Sequence, residues 1–102
     1  MSVGRLSRTE AADLVRKCLS AGRVIPGKHF REELANEGLD ILDAHHVLRT
    51  GSIFQEPEPD IRSGDWKYKM DGTDLEGESL AVVFCFRDAA TGFLITVFSI
   101  RR

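Results

Sequence analysis

The sequence predicts an α+β domain in which N-terminal helices pack on one face of a C-terminal antiparallel sheet. Three observations carry that prediction. Apolar residues recur at helical spacing through the first half of the chain, as in Ala11, Leu14, Val15, Cys18 and Leu19. The segment Trp66-Lys67-Tyr68-Lys69-Met70-Asp71 alternates strictly between apolar and charged residues, and Leu80 to Phe86 and Phe93 to Ile100 are apolar runs rich in β-branched and aromatic side chains. Helical patterns come first and strand patterns after, the order of an α+β layer fold.

Each element has its own signals. Ser7-Arg8-Thr9-Glu10 has capping-box spacing, which starts a first helix, and Gly22 is expected to supply its left-handed stop. Arg23-Val24-Ile25 reads as a short extended piece ended by Pro26-Gly27. Lys28 to Asn36 reads as a second helix, with Phe30 and Leu34 one turn apart and Gly38 closing it. Asp40 is the expected N-cap of a third helix whose inward stripe is Ile41, Ala44, Val47 and Leu48, ending at Gly51. Ser52 to Gln55 is an expected edge strand, and Glu56-Pro57-Glu58-Pro59-Asp60 a stiff acidic loop, since proline fixes its own φ and disfavours helix before it. The three strands of the meander follow, joined by a hydrophilic connection from Asp71 to Ser79 and a hairpin loop from Asp88 to Gly92.

Residues 1–102 read as a single domain, since a chain of 102 residues can bury one core without disulfides or metals. The formal net charge of -2 argues against a strongly basic nucleic-acid binder, but the charge is uneven. Arg5, Arg8, Arg16, Lys17, Arg23, Lys28 and Arg31 crowd the first third, while the middle is acidic, so a local basic face is compatible with the total. No apolar run approaches the roughly 20 residues of a membrane helix and no signal-peptide core opens the chain, which predicts a cytoplasmic protein without a membrane partner. Cys18 and Cys85 are expected to be inert core thiols.

Several stretches carry a family resemblance: Leu19-Ser20-Ala21-Gly22-Arg23-Val24, Gly38-Leu39-Asp40, Trp66-Lys67-Tyr68-Lys69, His29-Phe30 with Arg31, and Leu94-Ile95-Thr96-Val97-Phe98 before a basic C-terminus. With the order of elements, they resemble the RelE-like superfamily of small toxins from bacterial toxin–antitoxin systems, most of all the MqsR-type branch and uncharacterised domains near it. The resemblance spans about residues 12 to 102. It implies a metal-independent endoribonuclease that cuts mRNA, needs no cofactor and is silenced by a cognate antitoxin protein. The chain also departs from that pattern. Where MqsR-type toxins carry a lysine near the end of the edge strand, a tyrosine in the middle strand and a lysine in the last, this sequence has Gln55 and Glu56, Leu80 to Val82, and Ser99. The cationic pair around Tyr68 and Lys69 transfers.

Metal-free RNA cleavage needs a base for the 2′-hydroxyl, an acid for the leaving 5′-oxygen and cations for the phosphate. The candidate catalytic residues are therefore His29, because histidine is the usual side chain for acid–base work at neutral pH, with Lys67, Lys69 and Arg101. Arg31, Tyr68 and Arg102 are the candidate RNA-binding residues, Tyr68 as a stacking platform. Alternation sets Tyr68 on the face opposite both lysines, which favours a place in the core over contact with a base. The lysines can equally be a solvated strand face that discourages aggregation. His45-His46 invites a metal reading, but adjacent helical residues point about 100° apart, so no metal site is expected there. The rival reading is a non-catalytic protein-binding module, a degenerate relative of the toxin fold, favoured by the acidic total and the missing lysines and tyrosine.

Overall fold

A computed structural model describes residues 3–100 of the chain. Its elements run α1 (Arg8–Ala21), β1 (Arg23–Pro26), α2 (Lys28–Asn36), α3 (Ile41–Thr50), β2 (Glu58–Pro59), β3 (Trp66–Thr73), β4 (Ser79–Asp88) and β5 (Thr91–Ser99). Among the described residues the strands form one five-stranded sheet of order β1-β5-β4-β3-β2. The α+β class is as predicted, with helices preceding the sheet and packing on it. The meander β3-β4-β5 is antiparallel, but β1 pairs in parallel with β5, from Arg23 opposite Thr91 to Pro26 opposite Leu94, so the sheet is mixed rather than wholly antiparallel.

Capping explains where the helices start. Ser7 Oγ accepts from the Glu10 amide at 3.1 Å, and the Glu10 carboxylate accepts from the Ser7 amide at 2.9 Å. Asp40 and Asp43 form the same reciprocal box at the start of α3. The end of α1 differs from expectation. Gly22 has φ -116°, outside the left-handed region, and is required for another reason: a Cβ there would overlap the Ala90 carbonyl oxygen. Arg16 of α1 closes the end of α3 by donating to the carbonyls of Leu48 at 3.0 Å and Gly51 at 2.7 Å.

The edge beside β3 also differs. Of the expected strand Ser52–Gln55, Ser52 alone pairs, by a single bridge to Asp71. The edge strand is instead Glu58–Pro59, within the expected acidic loop, opposite Lys67 and Trp66. Proline is tolerated there because an edge strand can leave one N–H position unpaired. Two strands of the meander reach further than expected, β3 to Thr73 and β4 to Asp88, leaving Ala89 and Ala90 as the hairpin turn.

The core lies between the helices and one face of the sheet. Val15 and Cys18 from α1, Phe30 from α2, and Val47 and Leu48 from α3 meet Tyr68, Met70, Val82, Phe84, Leu94 and Val97, all buried. Burying each large apolar side chain is worth about 1.5–3 kcal/mol, so this layer supplies most of the driving force. Both cysteines are buried free thiols, and burial pushes Cys85 up to about 11, leaving it protonated at neutral pH. No helix among the described residues is long and apolar enough to cross a membrane.

Asp43 ties α3 to the β3–β4 loop. Its carboxylate accepts from the Asp40 amide at 2.9 Å and the Leu75 amide at 3.0 Å, and these two bonds hold its carboxyl below the usual carboxylate value. A carboxyl depressed in the folded state contributes stability that is complete above its unfolded pKa and disappears as pH falls through the folded one. Thermal melts of wild type and Asp43→Asn should therefore differ by a constant amount from neutral pH to about pH 5, and converge below about pH 4. A gap that persists unchanged into acid would show that these bonds do not depend on the charge.

Candidate functional site

The face of the sheet turned away from the core carries Lys67, Lys69 and Asp71 from β3, Ala81, Val83 and Cys85 from β4, and Phe93, Thr96 and Phe98 from β5. Cross-strand pairing sets these in rows: Lys69 opposite Val83 opposite Thr96, and Asp71 opposite Ala81 opposite Phe98. A β-bulge produces the arrangement on β5. Val83 pairs with Thr96 and Phe84 with Leu94, leaving Ile95 as the extra residue. A cavity of about 210 Å³ opens on this face, lined by Gln55, Glu56, Glu58, Lys67, Tyr68, Lys69, Val83, Ile95 and Thr96.

Thr96 connects this cavity to α2. Its hydroxyl donates to Glu33 Oε1, and the same oxygen accepts from the Val97 amide at 3.3 Å. His29 Nε2 lies 3.4 Å from that oxygen, one helical turn before Glu33. Gly27 lets α2 begin this close to β5, because a Cβ there would stand 2.7 Å from the Phe93 ring and 2.9 Å from the Leu94 carbonyl oxygen. His29 is thus linked through one carboxylate to the Thr96 hydroxyl, and Thr96 shares the cavity lining with the two lysines. His29 keeps 71% of its side chain exposed.

The charges of the cavity are mixed. Lys69 Nζ is 3.6 Å from Asp71 Oδ1, and Glu56 is 3.8 Å from Arg5. Lys67 has no ion-pair partner among the described residues. Lys69 Nζ also stands 5.5 Å from the centroid of the Phe98 ring.

The remaining sequence candidates fare differently. Tyr68 is 2% exposed, its ring stacked on Phe84 at 5.6 Å and its hydroxyl accepting from the Leu6 amide at 3.0 Å. Burial raises its pKa, and the base-stacking role expected of it is corrected, because neither ring face is free. Arg31 is exposed but lies about 200° around α2 from His29, so it is not brought to the same centre. Arg101 and Arg102 lie outside the described residues. His46 is half-buried, with Nδ1 2.9 Å from the Thr73 carbonyl oxygen. Burial lowers the pKa of its neighbour His45. The sequence signals leave Glu33 out and give Thr96 no functional role. The features that mark them are the His29–Glu33 spacing of four and a lone hydroxyl in an otherwise apolar strand.

If Thr96 anchors Glu33, Thr96→Val should preserve shape and leave the carboxylate with one donor fewer, lowering stability by roughly 1–2 kcal/mol in urea unfolding. A variant as stable as wild type would mean that the bond contributes nothing net.

Residues 27–99 match the family described as "Domain of unknown function (DUF4258)", and the chain belongs to that family. No curated protein and no solved structure matches the chain.

Proposed function

We propose that this member of the DUF4258 family is a metal-independent endoribonuclease acting on mRNA in the cytoplasm, the toxin of a toxin–antitoxin pair, with its site at the junction of α2 and β5. The observation that carries the reading is the convergence on Thr96, which lines the cavity with Lys67 and Lys69 and bonds the carboxylate beside His29. The matched family segment contains every one of these residues.

The chemistry follows from the groups present. His29 takes the proton of an RNA 2′-hydroxyl, and the 2′-oxygen bonds to the adjacent phosphorus as the bond to the 5′-oxygen breaks. The products are a 2′,3′-cyclic phosphate and a free 5′-hydroxyl, whose proton comes from the Lys67 ammonium. Glu33 is a positioning residue: it orients the imidazole and stabilises the imidazolium once formed, the base-plus-orienter logic of activated nucleophile sites. Lys69 lies beside the crowded phosphate and offsets its charge. A cognate antitoxin would silence the protein by covering this cationic groove.

A second reading, a non-catalytic protein-binding module, is favoured by Glu56 and Glu58 sharing the cavity with the lysines. Incubation of the purified protein with mRNA, followed by mapping of the new ends, separates the two. Wild type should produce fragments with cyclic phosphate ends and arrest growth on induction. His29→Ala should lower the cleavage rate by about 10²–10⁴-fold, and the Lys67→Ala, Lys69→Ala double variant should act in the same direction while staying folded. Intact RNA with folded wild-type protein would remove the nuclease reading and leave the binding module.

A further inference from the structure

The uncovered sheet face contains an aromatic residue to which neither the fold nor the proposed cleavage assigns a part. Phe98 is 37% exposed near the end of β5 and pairs with Ala81, whose single methyl is fully buried. A small neighbour on β4 leaves the ring standing above the sheet. Lys69 approaches it at 5.5 Å from the centroid, and Lys67 follows two residues along the same face of β3. The other aromatic of this face, Phe93, is covered: Arg87 lies 4.0 Å from its ring centroid and is held there by Asp65 at 3.2 Å. With Tyr68 in the core, Phe98 is the aromatic ring of this face left open for a ligand among the described residues.

We infer that Phe98 is a base-stacking residue, and that the sheet face takes a single-stranded stretch of RNA with one nucleobase on the Phe98 ring and the neighbouring phosphates on Lys69 and Lys67. The inference rests on the reading of the groove as an RNA site and adds the form of the substrate and the residue that holds its base. Three features support it. Phe98 and Thr96 point to the same face two residues apart, about 6.6–6.8 Å along the strand, which is one nucleotide's reach from the proposed centre. Cations interleaved with an open aromatic are the usual surface for an unpaired strand, since every base offers a π-face and every phosphate a charge. A duplex keeps its bases stacked on each other, so it has no face to give the ring.

The test separates binding from cleavage. A labelled 2′-O-methyl RNA oligomer, whose blocked 2′-oxygen cannot attack, is titrated with wild type, Phe98→Leu and Phe98→Trp, beside the same oligomer annealed to its complement. The expected result is binding of the single strand in preference to the duplex, about 5- to 150-fold weaker binding by Phe98→Leu, and retention by Phe98→Trp. Leucine preserves apolar packing on Ala81, so a loss seen with leucine and restored by tryptophan reports the π-face rather than the fold. Equal affinity of Phe98→Leu and wild type, no binding of the single strand, or equal binding of the duplex would each overturn the inference. Unmodified RNA is tested with wild type in parallel. Absence of cleavage alongside Phe98-dependent binding would remove the nuclease chemistry and leave the stacking site standing.

Discussion

One carboxylate oxygen holds the site together. β5 is flanked along its whole length by β4, but on its other side β1 accompanies it only as far as Leu94. Beyond that point its outer edge would present unpaired backbone groups, a liability in any sheet. Glu33 meets this edge by accepting from the Val97 amide and the Thr96 hydroxyl together. The same contact ties α2 to the sheet, and Phe30 and Leu34 one turn apart bury the adjacent stripe of that helix. His29 takes its position from this tether, since it lies one turn before Glu33. Edge protection and the placing of a histidine beside a cationic groove are therefore one interaction.

Charge in the groove is balanced rather than simply positive. Lys69 and Asp71 approach to 3.6 Å, yet Asp71 Oδ1 is buried without a hydrogen-bond donor, so their attraction is Coulombic and lacks a directed bond. Both side chains remain partly exposed, and pairs of that kind are worth roughly 0–1 kcal/mol. A phosphate, which offers several strong acceptor oxygens, can replace such a partner with little opposition. Glu56, which shares the cavity with the lysines, lies 3.8 Å from Arg5. The acidic residues around the site thus lower its resting field, with Lys69 weakly paired to Asp71 and Lys67 without an ion-pair partner among the described residues, so a net charge of -2 is compatible with local cations on this face.

The helices were legible because each has an independent local signal. Ser7 and Asp40 cap, the apolar stripes recur at helical spacing, and α2 and its neighbours begin where those signals lie. The meander was legible from alternation and β-branching, and the burial of Tyr68 from its parity with Trp66 and Met70. The parallel pairing of β1 was not, because four residues carry no information about a partner far along the chain. Nor was β2, whose two residues pair only through tertiary context and contain a proline that reads as loop. Of the site, His29, Lys67 and Lys69 were legible as residue types with suitable chemistry. Their joining was not, because Glu33 and Thr96 are unremarkable until the fold brings them together.

The bulge at Ile95 shows most directly how a local irregularity decides what this face can do. Strict alternation from Phe93 would turn Ile95 outward and Thr96 and Phe98 into the core, burying a hydroxyl among apolar side chains at a penalty of about 1–3 kcal/mol. The extra residue restores a parity that keeps the apolar residues inside and the hydroxyl outside. Leu94 and Val97, three apart, are both buried, while Thr96 pairs across the outer face with Val83 and Phe98 with Ala81. Bulges re-aim side chains and recur beside functional sites for this reason. Here the shift faces Thr96 towards both the lysines and Glu33 and lifts Phe98 onto the open surface. Without it, β5 would offer neither the hydroxyl that joins α2 to the groove nor the ring above it, and the lysines of β3 would be an ordinary solvated face.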